Sequence, residues 1–234
     1  MRKGLLGLGI FSFIAVAAVS QAANGTVSIA WDGCTGPVDK TTTVGAPYGI
    51  FISEIGLDQT HRAYQIRILY GNASQTVPDA WRFDVGGCQD GLVTIDAISK
   101  TCPAFAQTAN GSALQIKRVE FSPPSDGYAT TLMRAIFAVA YSDRPITAVP
   151  TTRYLLGRFN FDLTYAVPGP GTPGSTCGGF EQVMFFTISS ASWLDVNGNE
   201  IPFDRSNPPP SVTFNGATPA RATTWGSIKG QYRQ

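Results

Sequence analysis

Short stretches in which apolar and polar residues alternate recur along this chain, and they constrain its fold more than any other feature. In the clearest of them, Phe159, Phe161 and Leu163 are separated by single polar residues. Because successive side chains of a β-strand point to opposite faces, such stretches predict strands with one buried face. Strands are predicted at residues 26–31, 48–55, 63–70, 92–98, 114–121, 154–167, 183–188 and 211–214.

Turn signals separate these stretches. The Asx–Gly dipeptides at 90–91, 110–111, 126–127, 197–198 and 215–216 tolerate the positive φ angles that tight turns require. Residues 130–141 fit both a helical stripe and a strand face, and their strand neighbours favour a strand. Within 114–121 the apolar phase shifts at Lys117 and Arg118, which predicts a β-bulge.

The sequence therefore predicts an all-β fold, a single antiparallel immunoglobulin-like β-sandwich of roughly 8–10 strands. The 25 glycines, the 16 prolines and a charged fraction of only 14% are typical of a turn-rich β protein. The Gly/Pro-rich stretch at 168–179 is interpreted as a long loop within the sandwich, since strands are predicted on both sides of it. The domain is predicted to span residues 23–216, with little or no helix.

The N-terminal segment is typical of a secretory signal peptide, predicted at residues 1–22. Arg2 and Lys3 precede an apolar run, and Ser20 and Ala22 supply small residues before the expected cleavage point. No later apolar run reaches membrane-spanning length, so the chain is expected to be exported to the cell exterior or surface. Cleavage would leave 15 basic against 16 acidic residues, a balance that argues against nucleic acid as a partner.

The four cysteines, Cys34, Cys88, Cys102 and Cys177, predict two disulfides in an exported chain. The pairing is left open among three connectivities. A straight strand over residues 92–98, about 20 Å long, would hold Cys88 and Cys102 too far apart to bond unless it bends. A zinc site is not expected, because no C-x-x-C pair is present and His61 is the only histidine.

No constellation typical of an enzyme stands out. His61 is expected to be an exposed residue at a strand edge, and no serine or cysteine lies in a nucleophile signature. The G-x-G-x-x-G match at 169–174 lacks the helix that a dinucleotide site needs, so no cofactor is expected. The oxygen-bearing side chains Asp195, Asn197 and Asn199 are a candidate calcium site, although a hairpin turn explains the same residues.

Two groups of aromatic residues are binding candidates. Trp81 stands in a polar context and is predicted to be exposed; with Tyr48 and Tyr70 it would provide rings on which a sugar can stack. In the C-terminal tail, residues 217–234, the side chains of Trp225, Ile228 and Tyr232 have helical spacing. The tail is predicted to be peripheral, either a short helix on the sandwich or a signal recognised by another protein.

Three segments carry a family resemblance: residues 61–70 leading to 81–84, residues 154–165, and residues 188–214. In their strands and turns they resemble the cohesin-type β-sandwich, which is related in architecture to carbohydrate-binding modules; the four cysteines depart from that pattern. Export, two predicted disulfides, the all-β pattern and the lack of a catalytic constellation predict a secreted, non-enzymatic binding or adhesion module for an extracellular glycan or a surface protein. Two alternatives stay open, a structural subunit of a surface layer or filament and a polysaccharide hydrolase whose carboxylates meet in space.

Overall fold

The computed structural model describes residues 24–42, 46–97, 101–105, 114–141, 145–164, 166, 177–204 and 208–216. They form two β-sheets packed face to face, so the predicted all-β sandwich is confirmed. The strands are β1 (Asn24–Trp31), β2 (Asp39–Lys40), β3 (Pro47–Leu57), β4 (Thr60–Gly71), β5 (Val93–Asp96), β6 (Leu114–Phe121), β7 (Met133–Ala140), β8 (Ile146–Thr147), β9 (Tyr154–Asp162), β10 (Met184–Asp195), β11 (Glu200–Pro202) and β12 (Ser211–Phe214). The strands beyond the expected number are the short β2, β8 and β11.

The small sheet has the order β1-β3-β9-β5, and all its pairs are antiparallel. The large sheet has the order β2-β12-β10-β4-β7-β6, with β11 added on β10 and β8 on β4. Its only parallel pair is β2 with β12, among the residues that the structure describes. β3 and β4 are consecutive yet lie in different sheets, so the turn between them forms one end of the sandwich. The β10–β11 hairpin lies at the same end, which is called here the hairpin end.

The core between the sheets is rich in aromatic side chains. At the end opposite the hairpin end, called here the Trp81 end, the Trp81 ring packs against Phe186, Phe161 and Phe214 at centroid distances of 5.6, 6.1 and 4.8 Å. Trp31 donates its indole N–H to the carbonyl of Thr213 at 2.8 Å, a bond from the small sheet to the large one. Each of these buried rings removes a large apolar surface from water, which is the main source of stability.

Residues 130–141, which fitted two patterns, contain strand β7. Met133, Ala135, Phe137 and Val139 are buried, and the residues between them are half-buried, as the strand alternative predicted. The bulge predicted at Lys117 and Arg118 is wrong. β6 pairs with β7 in an unbroken register from Leu114–Ala140 to Phe121–Met133. The apolar phase shift has a different cause. Lys117 pairs with Phe137, whose side chain is in the core, but β6 is the last strand of its sheet, so Lys117 is exposed to solvent.

The two predicted disulfides are present, as Cys34–Cys102 and Cys88–Cys177. The strand between Cys88 and Cys102 has only four residues, Val93–Asp96, and each cysteine bonds to a distant part of the chain instead. Cys34 joins Phe51, Ala104 and Leu155 in a second, small apolar cluster. Because Ile50 and Ile52 point into the main core, Phe51 between them points outward, and this cluster covers part of the outer face of the small sheet.

Other parts of the chain lie outside the described residues. They include the predicted signal peptide at 1–22, most of the loop at 168–179, and the tail residues 217–234 with Trp225, Ile228 and Tyr232. In the described part of the chain, no helix has the length and apolarity to cross a membrane.

Candidate functional site

The aromatic residues predicted to bind sugar lie in the core. Trp81 has 0% of its surface exposed, Tyr70 2% and Tyr48 8%, so the exposure predicted for Trp81 is wrong. Trp81 ends a short 3-10 turn, Asp79–Trp81, that directs Asp79 to solvent and the indole inward. The polar neighbours that suggested exposure therefore point away from the ring. These three rings form no exposed platform.

The calcium candidate is a hairpin turn. The Asp195 carboxylate accepts the backbone N–H groups of Asn197 and Asn199, both at 2.8 Å, and the side-chain amide of Asn199 at 2.8 Å. These hydrogen bonds lower the pKa of Asp195. The turn joins β10 to β11, with Gly198 at a φ of 90°. Across the described ranges, no group of three or more His, Cys, Asp or Glu side chains is placed to hold a metal ion.

His61 is buried, so the prediction of an exposed edge residue is wrong. Its ring lies edge-on to Phe105 at 4.5 Å and also contacts Tyr141 and Trp193, and neither ring nitrogen has a hydrogen-bond partner. Burial lowers the pKa of His61 to about 4, against a smaller opposing effect of nearby backbone groups. The imidazole is therefore neutral at pH 7. No local sequence pattern indicates this burial, because β8 pairs beside His61 and Phe105 packs on its ring, and both lie far along the chain.

A second buried titratable group, Glu54, was missed by the sequence analysis. Its carboxylate accepts the backbone N–H of Leu57 at 3.3 Å, and its other oxygen has no partner. Burial raises the pKa of Glu54 to about 7, while the Leu57 bond and the charge of Arg153 act in the opposite direction. Glu54 lies three residues before the β3–β4 turn and His61 just after it, so both belong to the hairpin end.

The outer face of the large sheet carries a hollow of about 310 Å³. On β4, the side chains of Tyr64, Ile66 and Ile68 point into the core, so those of Ala63, Gln65 and Arg67 point outward. The strand register aligns them with residues of β10 and β7 in two rows, Leu194–Ala63–Ala140 and Ser192–Gln65–Ala138. Three of these six side chains are alanines, and they form a low apolar floor across β4 and β7. We call this feature the alanine hollow.

The rim of the alanine hollow is polar. Arg67 has no carboxylate partner among the described residues; Gln65, with its amide oxygen turned toward the guanidinium, accepts from it at 3.1 and 3.2 Å. Glu200 of β11 lines the hollow near Leu194 and accepts from the Ser192 hydroxyl at 2.6 Å. The hollow thus combines an apolar floor with one cation and one anion.

The outer face of the small sheet is different, because its polar groups bind one another. Arg158 forms two hydrogen bonds to Asp96, at 3.2 and 2.7 Å, and Asn160 donates to the same carboxylate at 3.1 Å. Arg153 donates to the hydroxyls of Ser28 and Ser53 at 2.7 and 3.1 Å. Together with the cover held by Cys34–Cys102, these contacts leave fewer polar groups available to a partner.

An exposed apolar loop tip stands at the Trp81 end. Val85 has 91% of its surface exposed, and the two glycines that follow it, Gly86 and Gly87, make the tip narrow. An ion pair stabilises the base of this tip. Arg82 donates to both carboxylate oxygens of Asp84, at 2.9 and 2.7 Å, and lowers the pKa of that carboxyl. We call this tip, with the Arg82–Asp84 pair at its base, the Val85 knob.

Comparison with known proteins gives similarity at the level of structure. No protein-family model matches the sequence, and no curated protein matches it. Among solved structures, a cohesin module of a family 33 glycoside hydrolase from Clostridium perfringens is 13% identical with a TM-score of 0.41, over 82% of this chain and 96% of that one. The second type II cohesin module of the ScaA scaffoldin from Acetivibrio cellulolyticus is 12% identical with a TM-score of 0.43, over 88% and 97%. A non-cellulosomal cohesin from Archaeoglobus fulgidus is 8% identical with a TM-score of 0.33, over 89% and 99%.

These matches agree with the cohesin-like resemblance of the sequence. At TM-scores below 0.5 they carry no argument about a partner or an activity.

Proposed function

We propose that this chain is an exported, non-enzymatic module that binds a protein, and that it docks through the outer face of its large sheet. The observation that carries the proposal is the alanine hollow. A part of a sheet face that is floored by alanines lets a partner approach the strands closely, and the apolar floor is desolvated when it does.

The chemistry of the hollow favours a protein over a glycan as the partner. Its floor is aliphatic, built by Ala63, Ala138 and Ala140, whereas sugars are recognised by stacking on exposed aromatic faces. The rings that would supply such faces, those of Trp81, Tyr48 and Tyr70, are in the core. Arg67 on the rim, which lacks an acidic partner among the described residues, suits a carboxylate presented by a protein.

Export is supported by the covalent structure. The two disulfides join residues 68 and 89 positions apart, and such bonds form and persist in oxidising compartments. The predicted signal peptide at residues 1–22 fits the same location. We therefore place the partner outside the cell or on its surface.

The test compares a variant that fills the hollow with one that leaves it open. Ala138→Trp places an indole on the floor, and Thr94→Trp places one on the exposed outer face of the small sheet as the matched control. Each purified full chain is coupled to beads and incubated with surface proteins released from the source cells. We expect proteins retained by the wild type and by Thr94→Trp to fall about tenfold on Ala138→Trp, a change of about 1.4 kcal/mol in binding.

Two results would overturn the proposal. One is retention by Ala138→Trp equal to that of the wild type while its circular dichroism and melting temperature match those of the wild type. The other is the absence of any specifically retained protein together with glycan binding on an array, which would make the chain a glycan-binding module instead.

A further inference from the structure

The alanine hollow and the Val85 knob lie at opposite ends of the sandwich. Arg82, at the base of the knob, lies over the Phe121 ring at 4.9 Å, and Phe121 pairs with Met133 at the start of β7. The hollow contains Ala140 at the other end of β7. Seven residue steps along a strand span about 23 Å. A contact between a knob and a hollow therefore has to join two molecules.

The knob is preorganised for insertion. The backbone N–H of Gly86 donates to Asp90 at 2.9 Å, and that of Gly87 donates to the Asp84 carbonyl at 2.8 Å. The Cys88–Cys177 disulfide follows directly. Little conformational freedom is left to lose when Val85 is bound, and this lowers the entropic cost of binding.

The two surfaces are complementary in shape and charge. A valine followed by two glycines is a narrow apolar tip, and the floor of the hollow is built by three alanines. Around the knob stand three acids, Asp79, Asp84 and Asp90, and one base, Arg82, so its surroundings are acidic. The rim of the hollow presents Arg67, which lacks a carboxylate partner among the described residues, and Glu200, which accepts from Ser192. Attraction between the acids around the knob and Arg67 directs the knob to the Arg67 side of the hollow, away from Glu200.

We infer that the alanine hollow of one copy binds the Val85 knob of a second copy, so that molecules join head to tail. The inference rests on the proposed function, because it names the partner of the same face. The two surfaces are different, so the contact is heterologous, and each added molecule leaves one free knob and one free hollow. Such contacts build an open chain of subunits, and a contact this small is individually weak.

The test uses sedimentation velocity of the exported full chain from roughly 10 µM to 0.5 mM, the range in which weak contacts become populated. We expect the wild type to form larger species as concentration rises. Val85→Asp, which charges the knob, and Ala138→Trp, which fills the hollow, should each stay monomeric. Val149→Asp is the matched control, because Val149 is 51% exposed and lies in neither surface; it should assemble as the wild type does.

Mixing Val85→Asp with Ala138→Trp, the two variants expected to stay monomeric alone, gives the sharpest result. Val85→Asp keeps an intact hollow and Ala138→Trp keeps an intact knob, so an equimolar mixture should form heterodimers and nothing larger. A wild type that stays monomeric, a Val85→Asp variant that assembles, or a mixture without heterodimers would each overturn the inference.

The bead experiment separates this inference from the proposed function. If the inference holds, beads that carry Val85→Asp, whose hollow is intact, retain the wild-type chain itself, and beads that carry the double variant Val85→Asp with Ala138→Trp do not. A monomeric wild type that still retains another protein through the hollow would remove the inference and leave the proposed function standing. A monomeric wild type with no retention that depends on Ala138 would remove both.

Discussion

The two ends of the sandwich hold their polar groups in opposite ways. At the Trp81 end the ionised groups are paired, as in Arg82–Asp84, and the adjoining core is built of aromatic rings. At the hairpin end, Glu54 and His61 are buried, and one carboxylate oxygen and both ring nitrogens lack partners. The stability of the Trp81 end is therefore almost independent of pH near neutrality, whereas that of the hairpin end depends on it.

The largest expected effect concerns the two disulfides, Cys88–Cys177 at the Trp81 end and Cys34–Cys102 over the outer face of the small sheet. In the chain-entropy model, loops of 68 and 89 residues give about 4 kcal/mol of stability per bond. Cys34→Ala with Cys102→Ala, and Cys88→Ala with Cys177→Ala, should lower the free energy of unfolding by similar amounts, measured by urea titration. A loss confined to one of the two double variants would show that only the Trp81 end or only the cover of the small sheet depends on its cross-link.

The next effect distinguishes the ends by pH. The pKa of Glu54 rises from 4.5 to about 7 on folding, so its protonated form stabilises the fold; this contribution is complete below pH 4.5 and is lost as pH rises through 7. The pKa of His61 falls from 6.5 to about 4, so its contribution is complete above pH 6.5 and is lost as pH falls through 4. Between pH 4.5 and 6.5 the two contributions oppose each other.

Removing one group should reveal the other. Relative to the wild type, Glu54→Gln should become more stable by about 3 kcal/mol as pH rises from 4.5 to 7, since 2.5 pKa units correspond to about that energy. His61→Phe should gain a similar amount over the wild type as pH falls from 6.5 to 4. Urea titrations across this range measure both. Glu181→Gln, at an exposed glutamate, is the control; parallel curves for all four proteins would contradict the expectation.

A smaller effect tests how closely the sheets approach. A Cβ on Gly157 of β9 would lie 2.6 Å from the Phe137 ring of β7, inside the core, so Gly157→Ala should cost about 2 kcal/mol through overpacking. Gly178, beside the Trp81 end, has no atom within 4 Å of that position, and Gly178→Ala should leave the melting temperature nearly unchanged. Equal melting temperatures for the two variants would mean that the sheets separate easily at Gly157.

The smallest effect concerns the β10–β11 turn at the hairpin end. Asp195→Ala removes the acceptor of three hydrogen bonds on an exposed turn, and it should lower the melting temperature by no more than a few degrees. We expect no rise in the melting temperature of the wild type when calcium is added, because the turn itself occupies the carboxylate. A calcium-dependent rise that Asp195→Ala abolishes would restore the metal-site interpretation.

The sequence predicted what short-range patterns determine. Alternation located β9, and the flanking strands resolved residues 130–141 correctly as β7. The burial of Trp81 and His61 depends on segments distant in sequence, and no local pattern reports it. The disulfide pairing and the alanine hollow likewise depend on segments that are distant in sequence. Ala63, Ala138 and Leu194 become neighbours only through the register of three strands, so the hollow was absent from the sequence analysis.

The order of strands in the large sheet has a consequence for the timing of folding. β2 pairs with β12, which joins Asp39 to Thr213, and β4 pairs with β10. Sheets with such non-local pairings fold slowly, because long loops must close before the contacts form. A chain that crosses a membrane N-terminus first cannot complete this sheet until its last strand has emerged. The topology alone would keep the large sheet incomplete during translocation, and Cys88 would meet Cys177 only on the far side.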